Sequence, residues 1–462
     1  MSFNVPQTEK KRVVIVGGGF GGLKLANKLK DSNFQVVLID RNNYHQFPPL
    51  IYQIASSGIE PSSISFPFRK IFQNRKDFYF RMAKVRSIFP EQKIIQTSIG
   101  KVKYDYLILA AGTTTNFFGN ENVEERAIPM KNVSEAEGLR NALLENLERA
   151  LTCASERERM ELLNVVIVGG GATGVEVAGA LSEMKKFIIP KDYPDLPSSL
   201  VNVYLVEAGP RLLPAMSPES SAHVEQYLRE MGVNVLLNKM VTDYKDHRVM
   251  LKDGSSIATR TFIWVSGVAA QPLGNLPEAS IGRGRRIKVN AFNQVLGLDD
   301  VFCIGDQCIM EEGDDNWKGG HPQLAQVAIQ QGALLAKNLK RLEKGKDMKP
   351  FKYINLGTMA TVGRNRAVAE FSKIKMAGFF AWLMWLVVHL RSILGVRNKL
   401  IVLLNWMWNY FSYGQSLRLI IYAKKAKEVR DREERLASKH WGTDRLSEGA
   451  DELEDQPTSN NA

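Results

Sequence analysis

Cysteine is scarce in this chain. Cys153, Cys303 and Cys308 are the only three in 462 residues, and no two form a C-x-x-C pair. A disulfide scaffold and a zinc ribbon are therefore excluded, and the composition fits a reducing compartment. Long apolar runs are missing too. The stretch 376–390 would make about 22 Å of helix at ~1.5 Å per residue, against a hydrocarbon core of ~30 Å. The start, MSFNVPQTEKKR, has no apolar core and no Arg-rich amphipathic pattern, so no signal or transit peptide is expected. What remains is globular: 44% hydrophobic, 24% charged, with a net charge of +12. Such numbers exclude a disordered chain, a collagen-like chain and a polytopic membrane protein. At roughly 150 residues per domain, about three structural units are expected.

The strongest local signal is KRVVIVGGGFGGLKLANKLK. Val13 to Val16 reads as a buried parallel strand. Gly17, Gly19 and Gly22 then give G-x-G-x-x-G, and Leu23 to Leu29 has helical spacing. FQVVLID follows as a second strand ending at Asp40. The same unit recurs in NVVIVGGGATGVEVAGALSEM, with Gly169, Gly171 and Gly174, a helix, and the strand VNVYLVEAG carrying Glu207. A Pro-rich insertion, KKFIIPKDYPDLPSSL, lengthens that connection without adding a strand. In such a turn the first glycine permits the tight bend, the second lets backbone approach a pyrophosphate, and the third lets helix sit on sheet. The helix start then offers unpaired N–H groups to the phosphates. An acid at the second strand's tip accepts from ribose hydroxyls, and at Glu207 its charge would disfavour a 2′-phosphate, with Arg211 near enough to soften that preference. Two dinucleotide units are thus expected.

Further along lie YDYLILAAG, a charged helical stretch from Ser134 to Glu158, TFIWVSG and DDVFCIGDQ. A helix is expected from His321, with Pro322 near its start, and strands over 352–371. Two units, a strand ending AAG and a later VFCIGD resemble the glutathione-reductase-type flavoproteins. That resemblance implies FAD on the first unit, NADH on a second unit inserted into it, and Asp306 at the FAD. The cysteine pair of the disulfide reductases is absent from the matching stretch YHQFPPLIYQIASSGIEP, so dithiol chemistry is not expected. The run HPQLAQVAIQQG, with that stretch and the aromatic C-terminus, is similar to type II NADH:quinone oxidoreductase. The likeness spans Lys11 to about Ala423.

It implies FAD contacts from Gly17, Gly18, Gly19, Phe20, Gly22, Asp40, Arg41, Val85, Gly112, Gly305, Asp306, Gln323, Leu324 and Ala325. It implies NADH contacts from Gly169, Gly171, Gly174, Glu207 and Gly267. Gln326 and Gln330, four apart on one helix face, would donate to a quinone (menaquinone or ubiquinone). Glu176, in the first turn of the second glycine-turn helix, would be the catalytic proton relay. No metal and no nucleic acid are expected.

The C-terminal third is basic from Lys373 to Arg430, with Glu428 the only acid there. Basic charge beside the apolar runs MAGFFAWLMWLVVHL and LIVLLNWMWNYF points to an anionic lipid surface. Trp382, Trp385, Trp406 and Trp408 would form a headgroup belt, and Asn405 and Asn409 a polar stripe. The expected fold is α/β, with two Rossmann-like domains and an amphipathic C-terminal anchor. Its parts are an FAD domain over 1–115 and 296–350, a helical connection over 116–162 and an NADH domain over 163–295. A strand-rich segment 351–372, anchoring helices 373–425 and a charged, partly disordered tail 426–462 complete it. The expected protein is a peripheral homodimer on the cytoplasmic face of a bacterial inner membrane. Sulfide:quinone reductase and a non-catalytic membrane NADH sensor are the alternatives.

Overall fold

The structure is a computed structural model that describes residues 3–412 and 417–421. The chain divides into a body, Met1–Arg418, and a terminal unit, Leu419–Ala462. Nearly all of the terminal unit, including the tail at 426–462, lies outside the described residues.

Two five-stranded parallel sheets form the body. The first runs in the order Val301–Cys303, Tyr106–Leu109, Arg12–Val16, Gln35–Asp40, Phe78–Met82. The second runs Ile128–Pro129, Thr261–Trp264, Asn164–Val168, Asn202–Val206, Val233–Leu236. Their central strands, RVVIV and NVVIV, are buried throughout. A strand covered on both faces has no polar side to alternate, hence the unbroken β-branched runs. The second sheet is contained in sequence between two strands of the first, so the chain leaves and re-enters the first sheet. Thr113–Thr115 and Val268–Ala270, on the outgoing and returning segments, pair antiparallel.

Each sheet carries a glycine-turn helix, Phe20–Lys28 on the first and Ala172–Phe187 on the second. Gly17 and Gly169 have positive φ, and a Cβ on either would strike the neighbouring strand's backbone. A third helix, Ala325–Leu342, crosses the first so closely that a Cβ at Gly332 would lie 2.5 Å from the Gly21 carbonyl oxygen. That helix starts later than expected. Leu324 is its cap in extended conformation, leaving His321–Gln323 ahead of it. The charged stretch is two helices, Val133–Thr152 and Glu156–Leu163, broken at 153–155. The Pro-rich insertion holds a short helix, Ile189–Asp192, and a 3₁₀ turn.

The C-terminal part of the body is a three-stranded antiparallel sheet, Thr358–Thr361, Ala367–Phe371 and Ile374–Ala377, followed by helices Phe379–Ser392 and Val396–Ser412. Among the described residues no helix is long and apolar enough to cross a membrane. The expected tryptophan belt is mostly turned inward. Trp385 is fully buried, and Trp406 Nε1 donates to Gln53 Oε1 at 2.8 Å. Asn409 likewise donates to the Gly58 carbonyl at 3.0 Å, because an amide on this face finds a main-chain acceptor in the body. Of the four indoles, Trp408 is the strongly exposed one.

Two glycines test the packing. Gly332→Ala must push two helix backbones apart and should cost about 1–3 kcal/mol. Gly138→Ala adds a methyl into open space on an exposed helix face and should stabilise by about 0.4–1 kcal/mol. Opposite shifts in the thermal midpoint are expected; shifts of one sign would refute this reading of the interface.

Candidate active site

The two glycine turns are built alike down to their acids. Asp40 accepts from Gly18 N at 2.7 Å and Asn42 N at 2.8 Å. Glu207 accepts from Gly170 N and Gly209 N, both at 2.6 Å. Burial pushes the Asp40 carboxyl up, against the pull of the Gly18 and Asn42 N–H groups. The caps, Gly19 and Gly171, supply no side-chain acceptor to the helix that follows, and a Cβ on either would meet nothing within 4 Å. By contrast, Asn132, Ser155 and Ser217 close their own helices with side-chain bonds. Gly18 N and Gly170 N are thus taken by the acids, while the helix start that follows each turn is left without a side-chain acceptor and can offer N–H groups to an anion. Arg211 donates to the Met216 and Pro214 carbonyls at 2.9 Å, so its guanidinium is occupied by main chain.

Several segments converge on the first turn. A Cβ at Gly17 would lie 2.2 Å from the Ala110 oxygen, which places the AAG strand end and Gly112 beside it. Ala111 N donates to Gln307 Oε1 at 2.9 Å, and Gln307 Nε2 reaches the Gln271 carbonyl at 3.2 Å. Gln323 Nε2 donates to the Asp306 carbonyl at 3.0 Å, tying the start of the third helix to the Gly305–Gln307 turn. Burial pushes the Asp306 carboxyl up, opposed by the charges of Lys131 and Arg286. Val85 starts the strand Val85–Phe89, two residues past Ala83, whose N–H donates to the Asp40 carbonyl at 2.8 Å. Arg41 is exposed beside Asp40, Phe20 packs edge-on to His45 at 5.3 Å, and Gly267 lies against Phe118 at the second sheet.

Glu176 lies on the helix Ala172–Phe187, one residue past its first four, so the helix start is not what governs it. Burial pushes its carboxyl up to about 8, against a main-chain hydrogen bond from Thr361. Tyr52, from the helix Ile51–Ala55, feels the charges of Glu176 and Glu183 and is itself held protonated by burial. Tyr52, Gln53 and Glu183 form the polar end of a cavity of about 520 Å³, walled by Trp382, Trp385 and other apolar side chains of the C-terminal helices.

The two helix-face glutamines both bond main chain. Gln326 donates to the Gly357 carbonyl at 2.9 Å and accepts from Leu356 N at 2.9 Å. Gln330 donates to the Ile354 carbonyl at 2.8 Å and accepts from Ile354 N at 3.0 Å. Sequence reasoning also missed Lys131, whose amine donates to Thr113 Oγ1 at 2.7 Å close to Asp306, and Gln331, which accepts from Gly305 N at 2.7 Å. A lysine inside the apolar run IPMKNV was the one available hint at the first. The cysteines are free, and Cys303 and Cys308 are buried on either side of the Gly305–Gln307 turn.

Comparison with known proteins fits this geometry. Residues 11–332 match the pyridine nucleotide-disulphide oxidoreductase family, and residues 355–413 match the NDH2 C-terminal domain. A type II NADH:quinone oxidoreductase of Mycobacterium tuberculosis is 36% identical over 414 residues, covering 86% of each chain. The solved structure of NDH2 from Plasmodium falciparum in complex with NADH superposes with a TM-score of 0.82 at 21% identity, over 90% of this chain and 100% of that one. The sulfide:quinone oxidoreductase of Aquifex aeolicus shares the fold at 0.66 and 18% identity, over 89% of this chain and 96% of that one.

The raised Glu176 carboxyl makes a prediction with a definite sign. Unfolded, it ionises near its ordinary value of 4.5; folded, it keeps its proton to about 8. Folding is therefore increasingly penalised as pH rises between those values and equally penalised above them. Glu176→Gln should leave the thermal midpoint unchanged at pH 4, raise it progressively to pH 8, and then hold the gain. A midpoint difference independent of pH would refute the assignment. With paired glycine turns, a matching C-terminal module and close relatives over most of its length, the chain belongs to the type II NADH:quinone oxidoreductases.

Proposed function

We propose that this chain oxidises NADH and reduces a membrane quinone to quinol by two-electron transfer through FAD, without pumping protons. The observation that carries the reading is the repeated open glycine turn, one on each sheet, in a chain of this family. The residues fit both nucleotides. Backbone donors at Gly19 and Phe20 suit the FAD pyrophosphate, with Gly18, whose N–H is given to Asp40, beside them, Asp40 at the ribose and Arg41 and Val85 flanking. Gly112, Gly305, Asp306, Gln323, Leu324 and Ala325 would hold the rest, the start of the third helix offering N–H groups to negative charge. Gly169, Gly171 and Gly174 would cradle NADH, with Glu207 at the ribose and Gly267 opposite. Arg211 gives its donors to two carbonyls instead of pairing with Glu207, whose carboxylate favours NADH over NADPH.

FAD, when bound, supplies the two-electron redox chemistry between hydride donor and quinone. The protein's part is to hold the reactants together and to manage protons. Overall, NADH, one proton and quinone become NAD⁺ and quinol. Glu176, kept protonated at neutral pH by burial, is suited to give that proton and recover it from the aqueous side. The apolar cavity offers the quinone a route from lipid toward Tyr52, Gln53 and Glu183, on the helix that also carries Glu176. An intact second glycine turn and the absence of a cysteine pair at 44–61 set this apart from sulfide oxidation.

The C-terminal helices are proposed as a peripheral anchor. Phe380, Val396, Trp408 and Phe411 are strongly exposed, on the same two helices and the turn between them that carry Arg391, Arg397 and Lys399. Each basic residue adds about 1 kcal/mol on anionic lipid. A homodimer on the cytoplasmic face of a bacterial inner membrane would present two such anchors together.

Half-reactions test the chemistry. Under anaerobic conditions NADH should bleach the flavin absorbance, and a short-chain ubiquinone or menaquinone analogue should restore it. A flavin indifferent to NADH would end the reading. The anchor has its own test. Replacing Phe380 and Trp408 by Ser should lower sedimentation with phosphatidylglycerol vesicles at least about tenfold, with bleaching by NADH retained. Undiminished sedimentation would refute it.

A further inference from the structure

One aromatic ring stands apart from the core at the end of the second sheet. Phe118 is 67% exposed, and its backbone has a φ of 54°. The other described non-glycine residues with positive φ are mostly Asn and Asp, and Phe118 is the one Phe, Tyr or Trp among them. A bulky side chain in that conformation is an outlier that persists only where the surroundings over-determine it. Asn116 does so here. Its N–H donates to the Gly267 carbonyl at 3.3 Å, its carbonyl accepts from Trp264 Nε1 at 2.9 Å, and its side-chain oxygen accepts from Phe118 N at 2.9 Å. The turn is thus fixed to the end of the strand Thr261–Trp264. Phe117 packs on Trp264 with ring centroids 6.3 Å apart and joins the core. The Phe118 ring lies over Gly267 instead, where a Cβ would come within 2.7 Å of it.

The sheet gives that position a meaning. Val206, Val168 and Trp264 stand level on three adjacent parallel strands. Just beyond their ends come Glu207, the Gly169 turn and Gly267, in that order across the sheet. A Cβ on Gly169 would lie 2.9 Å from the Ser266 backbone, so the turn and the Gly267 segment touch. Neighbouring strands are about 4.8 Å apart. A dinucleotide with its adenosine ribose at Glu207 and its pyrophosphate over the Gly169 turn therefore carries its other nucleoside on to Gly267. This is also the side on which the chain arrives from the first sheet, through the pair Thr113–Thr115 and Val268–Ala270, and so the side toward which a hydride must leave. We propose that Phe118 is a substrate-binding residue: its ring packs on the nicotinamide ring of NADH and holds it at the junction of the two domains. A rigidly held, exposed aromatic face suits a flat ring of this kind. The inference rests on the reading that NADH occupies the second glycine turn.

The test compares NAD⁺ with ADP-ribose, which shares every part of it except the nicotinamide ring. Binding of each to the FAD-loaded enzyme is followed by calorimetric titration. Phe118→Asn removes the ring and suits the left-handed backbone, so the thermal midpoint should hold. NAD⁺ affinity should fall about 3- to 10-fold, the worth of one aromatic contact, with ADP-ribose binding as in the wild type. Phe118→Leu keeps apolar bulk without a ring face and should show the same selective loss. Phe118→Tyr should restore the wild-type affinity. Unchanged NAD⁺ affinity in the Asn and Leu variants would overturn the proposal. Equal losses for NAD⁺ and ADP-ribose would overturn it too, by assigning the ring to the shared part of the ligand or to the shape of the site. A wild-type enzyme that binds neither ligand would fail one step earlier, since NADH would then not occupy the second domain at all.

Discussion

A helix whose cap residue offers no acceptor leaves its first N–H groups unpaired, and that vacancy must be answered from outside the helix. The helices starting at Phe20, Ala172 and Ala325 are all of this kind. Elsewhere in the body Asn132, Ser155 and Ser217 complete their helices without help. An uncapped start is not by itself an anion site, since Phe379–Ser392 also lacks a side-chain cap; what marks the first two is the glycine turn that delivers them from a buried strand. Both sheets exist to aim such starts. The positive φ at Gly17 and Gly169 lets the chain turn out of a buried strand directly into the helix, and any side chain there would collide with the next strand.

Bringing the third helix into the same place requires a further close approach. Gly332 over the Gly21 backbone allows it, and the Gly305–Gln307 turn then reaches both the AAG strand end and the helix start. Amide side chains do most of this joining. Gln307, Gln323, Gln326, Gln330, Gln331 and Asn338 each bond main chain in another segment. A neutral amide carries donor and acceptor together, so it can replace a strand partner without placing charge near the nucleotides. Such joints are geometrically selective, and the site's precision comes from them more than from apolar packing.

Much of this was legible in the sequence. The strand–glycine–helix units, their terminal acids and their recurrence follow from local physics: buried parallel strands read as β-branched runs, and close backbone approach reads as glycine. The relation of the two apolar C-terminal runs to the body was not. Hydropathy records that Trp385, Trp406 and Asn409 are aromatic or polar but not which way they face, and burial against Tyr52, Gln53 and Gly58 decided that. The main-chain partners of the glutamines were hidden for a similar reason. A four-residue spacing gives a shared helix face, but the partner on that face is a strap two dozen residues away that lacks any strand partner of its own. The third helix starts four residues later than expected, at Ala325 instead of His321, because a proline near a helix start does not say whether it precedes or follows the cap.

Glu176 shows how these parts combine. Next to a nucleotide helix, a carboxylate exposed to water would be ionised at neutral pH and could give no proton. Burial alone corrects that, but a strongly desolvated acid becomes a poor donor, since an acid works best when its affinity for the proton lies near the working pH. One main-chain N–H, from Thr361, opposes the burial and leaves the group near 8. Thr361 ends a strand that follows the segment held by amides of the helix Ala325–Leu342. The acid thus sits on a helix of the second sheet, and the C-terminal sheet closes over that helix so tightly that a Cβ on Gly179 would lie 2.8 Å from Gly363 N.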